Sequence, residues 1–237
     1  MIIVTGGAGF IGSNFILKFL EASNENLLNL DNLSYAANLS NLKAIDSDPR
    51  YSFSKINIQN QSEVEEIVKE VKPRAILNFA AESHVDRSIE GPESFINTNI
   101  LGTYSLLEAA LNYWNDLDES GKKIFRFFHI STDEVFGSLD INDKKSTEES
   151  SYKPNSPYSA SKAASDHLVR AWHHTFKLPT LVSNCTNNYG PHQHEEKLIP
   201  LIITKALKNE DLPIYGDGKN IRAVSYTHLR AHETRGN

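Results

Sequence analysis

Only one cysteine, Cys185, occurs in the 237 residues, so no intrachain disulfide can form and no cysteine-rich zinc site can be built. Its expected place is that of a small buried hydrophobe, in a chain suited to a reducing cytoplasm. Positive charge is also short, with 24 Lys and Arg against 30 Asp and Glu and a formal net charge of −6. Nucleic acid and membrane surfaces need a basic field, so neither is an expected partner, and an anionic ligand must find local cations. No run approaches the ~20 apolar residues of a membrane-spanning helix. Met1-Ile2-Ile3-Val4 passes straight into glycines, without a basic n-region or a long apolar core, so no signal peptide is expected. Internal repeats and low-complexity linkers are missing too. What is left reads as a soluble, cytoplasmic chain, whose 39% hydrophobic residues suffice for one large domain, or one domain and part of another.

Ile2-Ile3-Val4 is a short β-branched run. It leads through Thr5-Gly6-Gly7-Ala8-Gly9-Phe10-Ile11-Gly12 into residues 13–21, where Phe15, Ile16, Phe19 and Leu20 recur at helical spacing. Between a strand and a helix, Gly7, Gly9 and Gly12 read as G-x-G-x-x-G, which serves a tight turn, close backbone approach to a pyrophosphate and close helix–strand packing. The helix N-terminus then turns its free N–H groups and positive dipole end to the phosphates. A second apolar run, Leu27 to Leu30, ends in Asp31, placed to bind a ribose 2′-hydroxyl. No arginine follows in Asn32-Leu33-Ser34-Tyr35, so a 2′-phosphate meets repulsion and NAD is favoured over NADP.

Further along, alternation predicts a third strand over 51–58, a helix over 61–71 stopped by Pro73, and a buried strand over 75–79. A long helix is expected over 92–114 and a strand over 125–130, followed by a polar surface loop over 137–156 that could serve as a lid. Ser156-Pro157 has the form of an N-cap and first turn, opening a helix that runs to about Phe176. Another strand follows over 180–185. Such β-α alternation predicts an α/β fold, a doubly wound parallel sheet of Rossmann type, with Gly9, Asp31, Ala80, Thr132 and Asn187 converging beyond its carboxyl strand ends.

Tyr158 and Lys162 are four apart and share a helix face, so an ammonium beside the phenol favours the phenolate, a base at neutral pH. His192 and His194 beside Glu195 and Glu196, and the pair His173-His174, have metal-binding residue types. Adjacent helix histidines point to different faces, however, and no metal is expected.

With the glycine turn and Y-x-x-x-K on one chain, the sequence resembles the extended short-chain dehydrogenase/reductase family, whose members act on nucleotide sugars. Longer stretches narrow the resemblance to its nucleotide-sugar 4,6-dehydratases, over residues 1 to about 222. They are Ala80 to Ser88, Ser131-Thr132-Asp133-Glu134-Val135, Tyr158 to Asp166, Asn184 to Pro191, and Glu196-Lys197-Leu198-Ile199-Pro200. The resemblance implies NAD as cofactor, dTDP-glucose as substrate, a homodimer, and loss of water to give dTDP-4-keto-6-deoxyglucose for deoxysugar biosynthesis. Implied cofactor contacts are Gly6, Gly9, Phe10, Ile11, Gly12, Asp31, Asn32, Asn57, Ile58, Ala80, Ala81, Thr98, Tyr158, Lys162 and Asn188. Asn57 stands where the family usually has aspartate. Implied substrate contacts are Ser83, Thr132, Asn187, Glu196, Lys197, Leu198 and Arg222.

In the implied chemistry, Tyr158 with Thr132 takes the C4 hydroxyl proton and Lys162 keeps the phenolate available. Glu134 then removes the C5 proton, and Asp133 protonates the departing C6 hydroxyl. A nucleotide-sugar 4-epimerase shares the turn and Y-x-x-x-K but needs no acid pair. A dehydratase of UDP or CDP sugars and a non-catalytic NAD-binding fragment would carry the same turn and the same tyrosine and lysine. The expected division is a NAD-binding Rossmann domain over 1–185 and the start of a substrate-binding domain over 186–222. Residues 223–237 are basic, His-rich and without core periodicity, so they are set apart as a non-native tail, and poor turnover is expected of the chain as it stands.

Overall fold

A computed structural model describes residues 1–140, 142–214, 216–218, 221 and 224–226. The first half alternates as expected: β1 (Ile2–Thr5), α1 (Phe10–Ala22), β2 (Leu27–Asp31), β3 (Tyr51–Lys55), α2 (Gln61–Val71) and β4 (Ala75–Asn78). Then come α3 (Val85–Glu90), α4 (Pro92–Phe95), α5 (Thr103–Asn115), α6 (Glu119–Ile124), β5 (Arg126–Thr132), α7 (Pro157–Phe176) and β6 (Thr180–Cys185). These strands form one sheet in the order β3-β2-β1-β4-β5-β6, every pair parallel. The order reverses between β1 and β4, and a doubly wound sheet opens its ligand crevice at such a point.

All four residues of β1 are buried, and successive side chains go to opposite faces of the sheet. Ile3 joins Leu28, Leu30, Ile76 and Phe127 beneath Val64 and Val68 of α2, Leu106 and Leu107 of α5, and Val169 of α7. Ile2, Val4, Leu27 and Leu77 pack instead on Ile16 and Leu20 of α1. Burial on both faces is why these strands read as continuous apolar runs.

α7 begins as its sequence predicts. Ser156 accepts from the Ser159 backbone N–H at 3.0 Å while the Ser159 hydroxyl accepts from the Ser156 N–H at 3.0 Å, a closed capping box with Pro157 in the first turn. Two expectations are corrected. The helix over 92–114 is three pieces, because a π-helical turn, Ile96–Gly102, separates α4 from α5. There the Ser165 hydroxyl of α7 donates to the Asn99 carbonyl at 2.6 Å, a tertiary bond that accompanies the irregular turn. The third strand stops at Lys55, because the Asn57 side chain accepts from the Gln59 N–H at 3.0 Å and turns the chain away from the ladder.

Beyond the sheet lie β7 (Asn187–Tyr189), α8 (Leu198–Leu207) and β8 (Val224–Tyr226), with β7 and β8 paired in parallel. Three residues of the segment set apart as 223–237 therefore belong to a strand, although no periodicity predicts one. Arg222, Ala223 and residues 227–237 lie outside the described residues. Among the described residues, no helix is long and apolar enough to cross a membrane.

Candidate active site

The glycine turn sits at the β1 end of the crevice. Gly6 has φ +69°, and a Cβ there would stand 2.6 Å from the Ala80 backbone nitrogen. The spacing gives the tight turn to Gly7, but the left-handed residue is Gly6. Gly7 instead lets Asn29 and Ile16 close in, its Cβ position lying 2.3 Å and 2.4 Å from their side chains. A Cβ on Gly12 would meet the Gly6 carbonyl oxygen at 2.3 Å, so α1 can pack this tightly only with glycine. Around Gly9 the nearest obstacle is the Gly6 oxygen at 3.3 Å, and Gly9 caps α1 without a side-chain hydrogen bond. The first N–H groups of α1, from Phe10, Ile11 and Gly12, thus end at an open glycine. That arrangement fits a dinucleotide's diphosphate.

Asp31 closes β2 and is buried. Its Oδ2 accepts from the Ala8 N–H at 2.9 Å and its Oδ1 from the Leu33 N–H at 2.8 Å. The carboxylate thereby ties the glycine turn to the next loop and keeps lone pairs for a ribose diol. Burial raises its pKa, and these two N–H bonds oppose the rise. Beyond β2 and β3 opens a cleft of about 500 Å³ lined by Asn32, Lys55, Asn57, Asn60 and Glu63. Asn32 and Asn57 are there as expected. Lys55 carries no motif in the sequence, since only its pairing with Asp31 across the strands brings it beside the crevice.

Ala80 donates its N–H to the Thr5 hydroxyl at 3.3 Å, which sets Ala80 and Ala81 next to the turn. The Thr98 hydroxyl accepts from the Gln59 amide at 3.1 Å. Ile58 is a core residue, 4% exposed, whose side chain would collide with any Cβ on Gly102. The Asn188 amide donates to the Thr186 carbonyl at 3.0 Å.

At the other end of the crevice β5 runs into a 3-10 turn, Asp133–Phe136. Thr132 links the group: its hydroxyl accepts from the Glu134 N–H at 3.2 Å, lies 3.4 Å from Asp133 Oδ1 and hydrogen-bonds the Tyr158 phenol. Tyr158 is buried, edge-on to Phe95 at 6.3 Å. The Lys162 ammonium donates to the Ile130 carbonyl at 2.8 Å. The five residues expected to carry the chemistry, Thr132, Asp133, Glu134, Tyr158 and Lys162, therefore meet at the end of β5.

The electrostatics correct one expectation. Burial first, and then the charges of Glu134, Cys185 and Asp133, push the Tyr158 phenol far above its ordinary value, with only the Thr132 hydrogen bond opposing. Burial also brings Lys162 down to about 8, against the pull of Asp166 and Cys185. The ammonium thus loses its proton before the phenol does. Spacing of i and i+4 places the two groups on one helix face, but both are dry, and desolvation is the largest influence on each.

On the far wall, Ser83 and Asn187 are exposed and Leu198 opens α8. Glu196, an implied substrate contact, is ringed by protein groups. It accepts from the Tyr35 hydroxyl at 3.3 Å, with His84 at 3.8 Å, Arg87 at 3.9 Å and Lys197 at 3.9 Å. His194 lies 3.7 Å from the same carboxylate, and the Arg87 guanidinium stacks on the Tyr35 ring at 3.7 Å. Burial lowers Lys197, and the charges of Glu196, Glu134 and Asp86 resist, so Lys197 lies in the field of Glu134.

Three buried polar residues that are not among the expected site residues are Asn99, His129 and Asp166. Asn99 accepts from the Glu82 N–H at 2.9 Å and donates to the Glu82 carbonyl at 3.0 Å and the Ser161 hydroxyl at 2.8 Å, pinning the loop after β4 to α7. A polar residue inside an apolar run, as in Phe127-Phe128-His129-Ile130, is the signal that could have found His129.

Comparison with known proteins agrees with this geometry. A family model described as GDP-mannose 4,6 dehydratase matches residues 3–232. The dTDP-glucose 4,6-dehydratase of Haemophilus influenzae is 54% identical over 221 residues, 93% of this chain and 65% of that relative. The chain therefore spans slightly less than two thirds of the length of such a curated relative. A dTDP-glucose 4,6-dehydratase from Streptomyces venezuelae, solved with NAD bound, matches with a TM-score of 0.87 and 44% identity over 95% of this chain and 68% of that one. A UDP-glucose 4-epimerase from Thermotoga maritima is more distant, with a TM-score of 0.83 and 27% identity over 95% of this chain and 69% of that one.

Proposed function

This chain belongs to the GDP-mannose 4,6 dehydratase family, and from that membership we propose that it serves, with NAD, to remove water from dTDP-glucose, giving dTDP-4-keto-6-deoxyglucose. Residues 1–185 hold the cofactor, and the segment from 186 onward meets the sugar nucleotide. Asp133 and Glu134 carry this reading. Two carboxylates on one short turn, joined through Thr132 to a buried tyrosine, are what an elimination needs and an epimerisation does not.

NAD, when bound, supplies the oxidant that turns C4 into a ketone and gives the same electrons back at C6. Asp31 binds its adenosine ribose, the open side of Gly9 and the start of α1 its diphosphate, and Asn32 and Asn57 face its adenine. Tyr158 accepts the C4 hydroxyl proton, with Thr132 orienting its phenol. Burial holds that phenol protonated, and Lys162, one helical turn along the same face, is the cation we assign to lowering it. With C4 a ketone, the C5 proton is acidified, and Glu134 removes it as a carboxylate. Asp133, as the neutral acid, protonates the C6 hydroxyl so that it leaves as water, and when hydride returns to C6 the proton held on Glu134 returns to C5. The two neighbours must therefore hold opposite protonation states.

Mass spectrometry of the product tests the reading. A sugar nucleotide lighter by one water, formed with NAD and not with NADP, is the expected result; an isomer of unchanged mass would make the chain an epimerase.

The oligomer we infer is a homodimer. Ile96 (48% exposed), Leu101 (51%) and Tyr104 (38%) lie on the π turn and the start of α5, and Tyr104 continues through Trp172 at 5.9 Å to Phe176 on α7. An apolar strip over two helices suits a second copy of the same strip. Sedimentation at twice the chain mass, lost on Leu101→Glu, is expected; a monomer in both forms would refute it.

A further inference from the structure

β5 carries a polar residue where its face calls for an apolar one. Phe127, His129 and Ser131 share the face turned to α7, and His129 is 1% exposed. The surroundings identify its tautomer. Thr5 accepts from the Ala80 N–H and donates to Asn78 Oδ1 at 2.7 Å, so the Asn78 amide group is turned toward His129 Nδ1, 3.2 Å away. Nδ1 must then accept, which leaves the proton on Nε2.

That N–H has two neighbours. Asp166 Oδ1 stands 3.5 Å away and Lys162 Nζ 3.4 Å away. A protonated Nε2 cannot accept from an ammonium, so it lies between the ammonium and the carboxylate without a hydrogen bond to either. Asp166 Oδ2 already takes three donors, Ser131 Oγ at 2.9 Å, Tyr152 OH at 2.9 Å and Asn184 Nδ2 at 3.1 Å. Burial raises the Asp166 carboxyl above its ordinary value, and these three donors, with the Lys162 ammonium, oppose the rise. Its other oxygen, Oδ1, is buried with no hydrogen bond of its own and faces His129.

The cation it compensates is Lys162, one helical turn earlier on the same face of α7. Tyr158 and Asp166 on its own helix, His129 on β5 and Cys185 on β6 are the titratable groups around it. Burial holds His129 well below its usual range, with Lys162 adding to the effect, so the imidazole is neutral and Asp166 is the compensating anion.

We propose that Asp166 and His129 are positioning residues of the proton-transfer centre. Asp166 favours the ammonium form of Lys162 in a dry site, and His129, an Nε2–H imidazole braced by Asn78, fills the space between the two charges. Without Asp166 a smaller fraction of Lys162 would be charged, and Tyr158 would lose part of the positive charge that base catalysis draws on. This rests on the reading of Tyr158 and Lys162 as the proton-transfer pair.

The test uses the chain labelled with [ε-13C]lysine and 15N-histidine, without substrate. The Lys162 signal, identified by its loss in Lys162→Met, is expected to titrate at about 8. In Asp166→Asn the midpoint is expected to fall by about one unit, so that at pH 8 the charged fraction drops from about half to about a tenth. An unmoved midpoint would overturn the proposal. Should Asp166→Asn fail to fold, the unaltered chain still decides: a neutral Nε2–H imidazole at His129 throughout pH 6 to 9 supports the proposal, and an Nδ1–H tautomer or an imidazolium overturns it. Both readouts are independent of turnover, so failure to dehydrate dTDP-glucose would count against the function alone.

Discussion

Glutamine in place of Glu134 is expected to slow loss of water from dTDP-glucose by about two to four orders of magnitude, the usual worth of a positioned proton-transfer group. Nicotinamide reduction on adding substrate should survive, because C4 oxidation draws on Tyr158, Thr132 and Lys162. The two acids can be separated in heavy water. With Asp133→Asn, Glu134 still exchanges the C5 proton, so recovered sugar gains deuterium at C5 while the C6 hydroxyl stays in place. With Glu134→Gln neither event occurs. Exchange at C5 that persists in Glu134→Gln and vanishes in Asp133→Asn would reverse the two roles. Undiminished water loss in both variants would remove the acid pair from the mechanism.

Methionine in place of Lys162 is expected to flatten the dependence of stability on alkaline pH and to abolish turnover. In the folded chain Lys162 loses its proton near 8, whereas in the unfolded chain it does so at its ordinary 10.5. Between those values the unfolded state binds more protons, so the unaltered chain gains stability as pH rises. Below about pH 8 the cost of burying the ammonium is present in full. The depression corresponds to about 3 kcal/mol across that window. Lys162→Met removes this contribution and leaves the other titrating groups in common, so urea titrations of both chains at pH 7.5 and 10.5 isolate it by difference. Parallel curves would mean that Lys162 carries no such burial cost. Stability given up to keep a charge in a dry site is a common feature of active centres.

Much of the frame was legible in the residues. The α7 cap depends on Ser156, Pro157 and Ser159 alone, and the strands announced themselves because both faces of the sheet are covered. The glycine turn and Asp31 were legible for the same reason, as the turn follows β1 directly and Asp31 closes β2. Placement of Thr132, Asp133 and Glu134 followed from the strand before them.

Tertiary structure decided what depends on residues far apart. Gly6 and not Gly7 takes the left-handed turn because Ala80 closes in on it, and the π turn at Asn99 meets Ser165 of another helix. Lys55 reaches the crevice through pairing with Asp31, and Asp166 meets Ser131 across 35 residues. The direction of the Tyr158 shift was likewise out of reach of the sequence. Spacing on a helix shows which groups are neighbours, but whether a charge is favoured depends on how much water the whole fold has removed, and that is a property of the packed chain.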